Sequence, residues 1–412
     1  MATRKKKKIL KKVRYITIIC AIILIVEILF VMYSLLFKNK ESLYFDGINA
    51  LITNDSYYVT VGSNNDNSNH YEKAKVSKHN RKKEKTFEKL YNVGYNSAFF
   101  GVSMDEDNIV AVGSYEKTDD DHNDSVRRAL IVKYDSLGEI IFAEDFKLLD
   151  NSKFTSVTTI EDGYLVTGQS VYKNTKVGTK EGGAILAKYD KEGNLVWYKT
   201  YGSSKSAIFN DLLITNDAIY TVGMDTNYLG VICKYDFNGN LISSNTYKST
   251  DEVGFSGITS VEGNIYVSGA KKLDSNDTQA MIVEYDLDCG YINDISYQGE
   301  GYTKYSKLAV DKHNNIIAIG IRTTNKNTNS KEKTAESINY DGIIGKYKSD
   351  LKEVDVITYG DERDDYFTDI QVNNNEYLVV GYSSYEDGSY LSKFIRYSDA
   401  LKVLEVESWE LL

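Results

Sequence analysis

Seven times along the chain a large apolar residue opens a strand-like run, and a glycine follows it fourteen or fifteen residues later. The opening residues are Ile48, Phe99, Phe154, Phe209, Phe255, Tyr305 and Phe367; the glycines are Gly62, Gly113, Gly168, Gly223, Gly269, Gly320 and Gly381. Successive glycines stand 46 to 61 residues apart, the length of a β-propeller blade of four short strands.

The third repeat shows the unit in full. A strand over 154–160 carries Phe154, Val157 and Ile160, and Glu161, Asp162 and Gly163 supply a hairpin turn. A second strand runs over 164–168, a third over 184–189 and a fourth over 195–201, with Gly193 as the left-handed position of the last turn. We denote these strands A to D. The AB turns elsewhere read Asp107-Asn108, Asn216-Asp217, Gly263-Asn264, Asn314-Asn315 and Asn374-Asn375, residue types suited to tight hairpins.

Strand C ends on a recurring triplet: Lys133-Tyr134-Asp135, Lys188-Tyr189-Asp190, Lys234-Tyr235-Asp236, Glu284-Tyr285-Asp286, Lys346-Tyr347-Lys348 and Arg396-Tyr397-Ser398. Lys75-Val76-Ser77 is the expected counterpart in the first repeat. A tyrosine recurring at one register position is a packing residue between blades. The predicted fold is therefore all-β, a seven-bladed β-propeller of four-stranded antiparallel blades over residues 43–412, each blade drawn from one repeat.

The run GGAILAKYDKEGNLVWYKTYG of the third repeat, with its Lys-Tyr-Asp, Gly-Asn and Trp197, resembles the seven-bladed repeats of bacterial cell-surface propellers (the SBBP type) and, more faintly, quinoprotein-like blades. The resemblance implies a fold and a surface location. It carries over no functional residue.

The N-terminus has a different pattern. Residues 1–14 carry eight basic side chains and no acid, and an apolar run over residues 15–37 follows, long enough to span a bilayer as an uncleaved signal anchor. Lys38 and Lys40 alone follow it closely, so the charge bias places the N-terminus in the cytoplasm and, after a short linker over 38–42, the propeller outside the cell. Glu27 sits near the middle of the span, where a carboxylate is costly and marks a candidate contact with another membrane helix.

The whole chain carries −10; with +8 in residues 1–14, the remainder carries −18. That balance argues against nucleic acid and anionic polymers as partners. Proline is absent, which removes proline-rich linkers. Cys233 and Cys289, expected in a C strand and a CD turn of different blades, do not suggest a disulfide.

In an antiparallel meander the BC loops and DA connections share one end of the ring, and length variation concentrates there. The long BC segments are 114–128, 169–183 and 321–341; that of the fourth repeat, 224–229, is short. Insertions on one face of a repeat protein commonly mark its binding face. The candidate residues on it are His122, Arg127, Arg128, Asp361, Glu362, Asp364 and Asp365, with Asp119, Asp120, Asp121 and Asp124 as weak ligands for a divalent cation, since their spacing fits no EF-hand.

For catalysis the sequence offers little. His70, His79, His122 and His313 are scattered over loops and turns with no metal-binding spacing, and Gly-x-Ser-x-Gly and phosphate-binding glycine loops are missing. Two expectations follow: a non-enzymatic binding or scaffold module for a protein or cell-envelope component, with no cofactor, or else an extracellular carbohydrate-acting or quinone-dependent propeller enzyme, whose carboxylates could meet across the channel.

Overall fold

The computed structural model describes residues 45–65, 71–118, 125–149, 151–170, 182–202, 207–273, 277–297, 299, 301–325, 338–360, 363–373, 375–384 and 389–408. The basic segment, the apolar run over 15–37 with Glu27, and the linker lie outside them. Among the described residues no helix is long and apolar enough to cross a membrane. Among the described residues twenty-eight strands form seven blades of four, each an antiparallel A-B-C-D meander. The innermost A strands are Phe45–Thr53, Tyr95–Asp105, Ser152–Ile160, Ile208–Ile214, Val253–Val261, Thr303–Val310 and Asp364–Asn373.

The recurring glycine has a steric cause. In every A strand one residue directly after the opening apolar residue is bulged out of register with strand B. The bulge drives the preceding carbonyl into strand B, and a Cβ on Gly62, Gly113, Gly168, Gly223, Gly269, Gly320 or Gly381 would lie 1.8 to 2.1 Å from that oxygen. Only a residue without Cβ fits. The glycine is therefore mid-strand rather than terminal: in blade 3 strand B is Gly163–Ser170 and continues past Gly168.

The triplet is equally explicable. Its tyrosine packs edge-on against the opening aromatic of the same blade, at 6.1 to 6.5 Å and 76 to 88° in the pairs Phe99–Tyr134, Phe154–Tyr189, Phe209–Tyr235, Phe255–Tyr285, Tyr305–Tyr347 and Phe367–Tyr397. Its aspartate caps the CD turn, as Asp190 does by accepting the N–H groups of Glu192 at 3.1 Å and Asn194 at 2.7 Å. Its lysine reaches an acid at the AB turn. Lys133 lies 2.8 Å and Lys191 2.6 Å from Asp105, which also accepts the hydroxyl of Tyr164 in the next blade at 2.7 Å. Burial works against the Asp105 charge, but these three donors outweigh it and hold its pKa down at about 2. Lys346, Asp311 and Tyr377 repeat the arrangement between blades 6 and 7.

In blade 1 the triplet is displaced by three residues from the expected one. Gly62 pairs with Lys75 and Tyr57 with Asn80, so the counterpart of Lys188-Tyr189-Asp190 is Lys78-His79-Asn80. Asn80 caps the turn through the N–H groups of Lys82 and Glu84, and His79 is buried in strand C, Glu72–Asn80, not in a loop.

Neighbouring sheets bury their faces on each other. Between blades 1 and 2, for example, Val59, Val61 and Val76 meet Phe99, Ile109 and Leu130 in one cluster. The seam between blades 7 and 1 is slighter: Ile48, Leu51 and Tyr58 against Leu378, Val380 and Phe394. Among the described residues no strand crosses that seam to complete the other blade. It is held by one parallel backbone bridge, Phe45 to Tyr390, by Thr368 Oγ1 donating to Ile48 O at 2.8 Å, by Leu51 N donating to Asp369 Oδ2 at 2.8 Å, and by Lys83 against Glu405 at 2.5 Å and Glu407 at 2.8 Å. The two described cysteines are buried and free, Cys233 in a C strand and Cys289 in a CD turn.

Candidate functional site

Aligning the A strands on their opening residue stacks the channel wall in layers. The bulged residue is Asn49, Phe100, Thr155, Asn210, Ser256, Ser306 or Thr368, and four of these side chains bond the opening residue's carbonyl in the next blade. Asn49 donates to Phe99 O at 2.8 Å, Thr155 to Phe209 O at 2.6 Å, Asn210 to Phe255 O at 2.7 Å, and Thr368 to Ile48 O. The polar ring is thus a set of blade-to-blade ties.

One residue further on, Asp211, Lys307 and Asp369 from blades 4, 6 and 7 meet inside a channel of about 390 Å³. Lys307 Nζ lies 2.8 Å from Asp211 Oδ2. Asp211 also accepts Ser156 Oγ at 2.9 Å and the N–H of Ile258 in blade 5 at 3.2 Å. Asp369 accepts the N–H groups of Leu51 in blade 1 and of its own neighbour Ile370. Burial pushes the Asp369 carboxyl up to about 6 against the pull of Lys307 and the two N–H groups. Burial opposes the charge on Lys307, but Asp211 and Asp369 outweigh it and raise its pKa. With the oxygens of both carboxylates committed to ammonium, hydroxyl or backbone N–H donors, the set forms a brace across the channel. General acid or base work would require a carboxyl oxygen directed at a substrate.

The larger opening is at the BC/DA end. A cavity of about 690 Å³ is lined by Glu72, Asn96, Glu116, Arg127, Lys153, Tyr382 and Tyr390, among others, and so draws on blades 1, 2, 3 and 7. Arg127 Nη2 lies 3.0 Å from Glu116 Oε1, and Asn96 Nδ2 donates to Glu116 Oε2 at 3.0 Å. Tyr390 donates its hydroxyl to Glu72 at 3.0 Å. A row of half-buried tyrosines leads into the cavity across blades 6 and 7. Tyr302 meets Tyr340 at 6.0 Å, Tyr340 stacks on Tyr366 at 5.6 Å, Tyr366 on Tyr382 at 4.8 Å, and Tyr382 leans on Tyr390 at 5.4 Å. A smaller cavity of about 380 Å³ at the opposite end includes Asp311, His313 and Tyr377.

Of the expected binding-face residues, Arg127 lines the large cavity. Arg128 reaches Lys147 O at 3.5 Å and does not line it. Asp364 and Asp365 correct the expectation. They lie in the last A strand rather than a DA loop; Asp364 accepts the N–H of Tyr340 at 2.9 Å, and Asp365 is buried and bonded to Ser383. Asp119, Asp120, Asp121, His122, Asp124, Asp361 and Glu362 lie outside the described residues, as does His70. Among the described residues no group of three or more His, Cys, Asp or Glu side chains could hold a metal ion.

The long BC segments are in part ladder. In blade 2 strands B and C, Asn108–Thr118 and Ser125–Tyr134, pair out to Thr118 and Ser125; in blade 6, Ile316–Asn325 and Ile338–Tyr347 pair out to Asn325 and Ile338. The blade 2 extension walls the large cavity through Glu116 and Arg127.

Comparisons with known proteins bear on the fold. No family model matches the chain, and no curated protein matches it. Solved structures similar to it include the β-propeller domain of the trilobed protease from Pyrococcus furiosus (10% identity, TM-score 0.50, covering 90% of this chain and 96% of that one). A putative 6-phosphogluconolactonase from Bacteroides uniformis has 11% identity and a TM-score of 0.51 over 87% of this chain and 96% of that one. Kuenenia stuttgartiensis hydrazine synthase has 8% identity and a TM-score of 0.52 over 88% and 97%. At such identities they share the propeller architecture and nothing finer.

Proposed function

We propose that this chain is a membrane-anchored, extracellular binding module of the bacterial cell-surface propeller type, which takes a protein or cell-envelope component on its BC/DA face without transforming it. The observation that carries the reading is the 690 Å³ cavity at that face, walled in part by the extended blade 2 hairpin and entered by the tyrosine row. Concave sites with aromatic walls and a few convergent polar groups are the usual form of a ligand site. The brace supports binding over catalysis, because its carboxylates are engaged with the blades themselves. The basic residues 1–14 followed by the apolar run over 15–37 support the anchor and the orientation.

The test is photocrosslinking of the full chain in intact cells, with a photoreactive residue replacing Asn96 on the cavity rim. A discrete adduct that disappears in Arg127→Glu is expected. An adduct indifferent to Arg127→Glu, or none at all, overturns the reading.

A further inference from the structure

The residue just before each opening residue forms the uppermost layer of the channel. At that position blade 5 has Gly254, where an added Cβ would meet nothing within 4 Å, so this layer borders open space. Blades 3 and 6, on opposite sides of the ring, place Lys153 and Lys304 there, and blade 7 places Tyr366, the middle of the tyrosine row. Lys153 also lines the 690 Å³ cavity.

The two lysines differ from every other ammonium described in the channel and its inter-blade locks. Lys307, Lys133, Lys191 and Lys346 each face a carboxylate at 2.6 to 3.0 Å. Lys153 and Lys304 have no ion pair or hydrogen bond from their ammonium groups among the described residues, although both are largely withdrawn from water. Burial lowers the pKa of each, and for Lys153 the positive charges of Arg127 and Lys304 add to the effect. A chain whose residues 15–412 carry −18 had acids to spare for pairing them. Lys153 at the cavity and Lys304 at the same register position are bonded to neither of the cavity's acids, because Glu116 is held by Arg127 and Asn96 and Glu72 accepts the Tyr390 hydroxyl, and they are therefore available to an anion from outside the chain.

We propose that the channel mouth is an anion site, in which Lys153 and Lys304 hold a phosphate or carboxylate group of the ligand while the remainder of the ligand lies along Tyr366, Tyr382 and Tyr390. The inference rests on the BC/DA face being the binding face. It also reverses the sequence-level argument from net charge, because recognition is set by the local field at the mouth rather than by the total. Charge-assisted contacts from two ammonium groups favour an anion small enough to sit between them.

The experiment is calorimetric titration of the full chain in detergent micelles with two probes, glycerol phosphate and glucuronate, at 50 and 300 mM salt. At least one is expected to bind, more weakly at the higher salt. The double variant Lys153→Met/Lys304→Met should lose at least tenfold in affinity while melting at the same temperature as the parent or higher, since an uncompensated buried charge has been removed. Preference for glycerol phosphate assigns a phosphate ligand; preference for glucuronate assigns a carboxylate. Binding unaffected by the double variant overturns the proposal, as does failure of the parent to bind either probe at 10 mM. If the Asn96 crosslink persists under either of these results, the anion site falls and the binding face stands; if the crosslink is also lost, both fall.

Discussion

Alanine at a single motif glycine tests the steric account of the repeat. In Gly113→Ala the new methyl carbon would lie 1.9 Å from Ala98 O and 2.8 Å from both Ala98 C and Phe99 Cα. Ordinary contact begins near 3.4 Å, so strands A and B must separate by roughly 1.5 Å, beyond the range in which an N–H···O bond survives. Losing about two ladder bonds at ~1 kcal/mol each, and loosening the fully buried Phe99, gives a destabilisation of about 3 to 5 kcal/mol. Gly254→Ala supplies the control within the same chain. Its Cβ meets nothing within 4 Å, and its expected effect is within about 0.5 kcal/mol. The assay is urea denaturation of the full chain in micelles, followed by far-ultraviolet circular dichroism. Equal midpoints for the two variants, or a Gly113→Ala midpoint equal to the parent's, would refute the bulge as the reason for the glycine.

The brace predicts a pH dependence. Burial holds Asp369 above its unfolded value, so between about pH 4 and 6 the folded chain binds the extra proton and stability falls as pH rises through that window, by up to about 1.4 kcal/mol per unit. Asp369→Asn should flatten this slope in denaturation midpoints measured from pH 4.5 to 7; an unchanged slope refutes the assignment. Lys346→Met leaves Asp311 buried without its ammonium and should cost about 3 to 5 kcal/mol, read from the same denaturation curves; a cost under about 1 kcal/mol would show the pair to be incidental. Tyr134 and Tyr164 make a contrasting pair. The Tyr134 hydroxyl is buried with no partner among the described residues, so Tyr134→Phe should be neutral or stabilising, whereas Tyr164→Phe gives up the bond to Asp105 and should cost about 1 to 2 kcal/mol. Equal effects of the two would contradict the hydrogen-bond accounting.

The ring was legible because bulge and glycine are one steric device repeated seven times, joined in six blades by the edge-on aromatic pair, and each part demands a residue type. The blade 1 triplet escaped because histidine replaces tyrosine at position 79, and lysines at both 75 and 78 begin a plausible match. Asp364 and Asp365 read as loop acids because nothing in one repeat shows that an A strand starts early and spends its first side chains on Tyr340 and Ser383. The brace left a signal that went unused. Superposed on the opening residue, the position two further on is Ala50, Gly101, Ser156 or Gly257 in four blades and Asp211, Lys307 or Asp369 in the other three, a set of charges among small residues. The tyrosine row and the lysine pair become visible only when blades 6, 7, 1 and 3 are brought round to one rim.

The seam between blades 7 and 1 bears on how such a chain can change. Because, among the described residues, every blade is spun from one contiguous stretch of sequence and the last joins the first by side chains and one backbone bridge, a gene segment coding one whole repeat is a self-sufficient unit of duplication or loss. A propeller whose final blade shares strands from both chain ends ties its two termini together, and any change in blade number must preserve that tie. Here a repeat inserted between two blades disturbs only the contacts on either side of it. The gaps of 46 to 61 residues between glycines, uneven in the loops and regular in the strands, are the pattern such modular growth leaves behind.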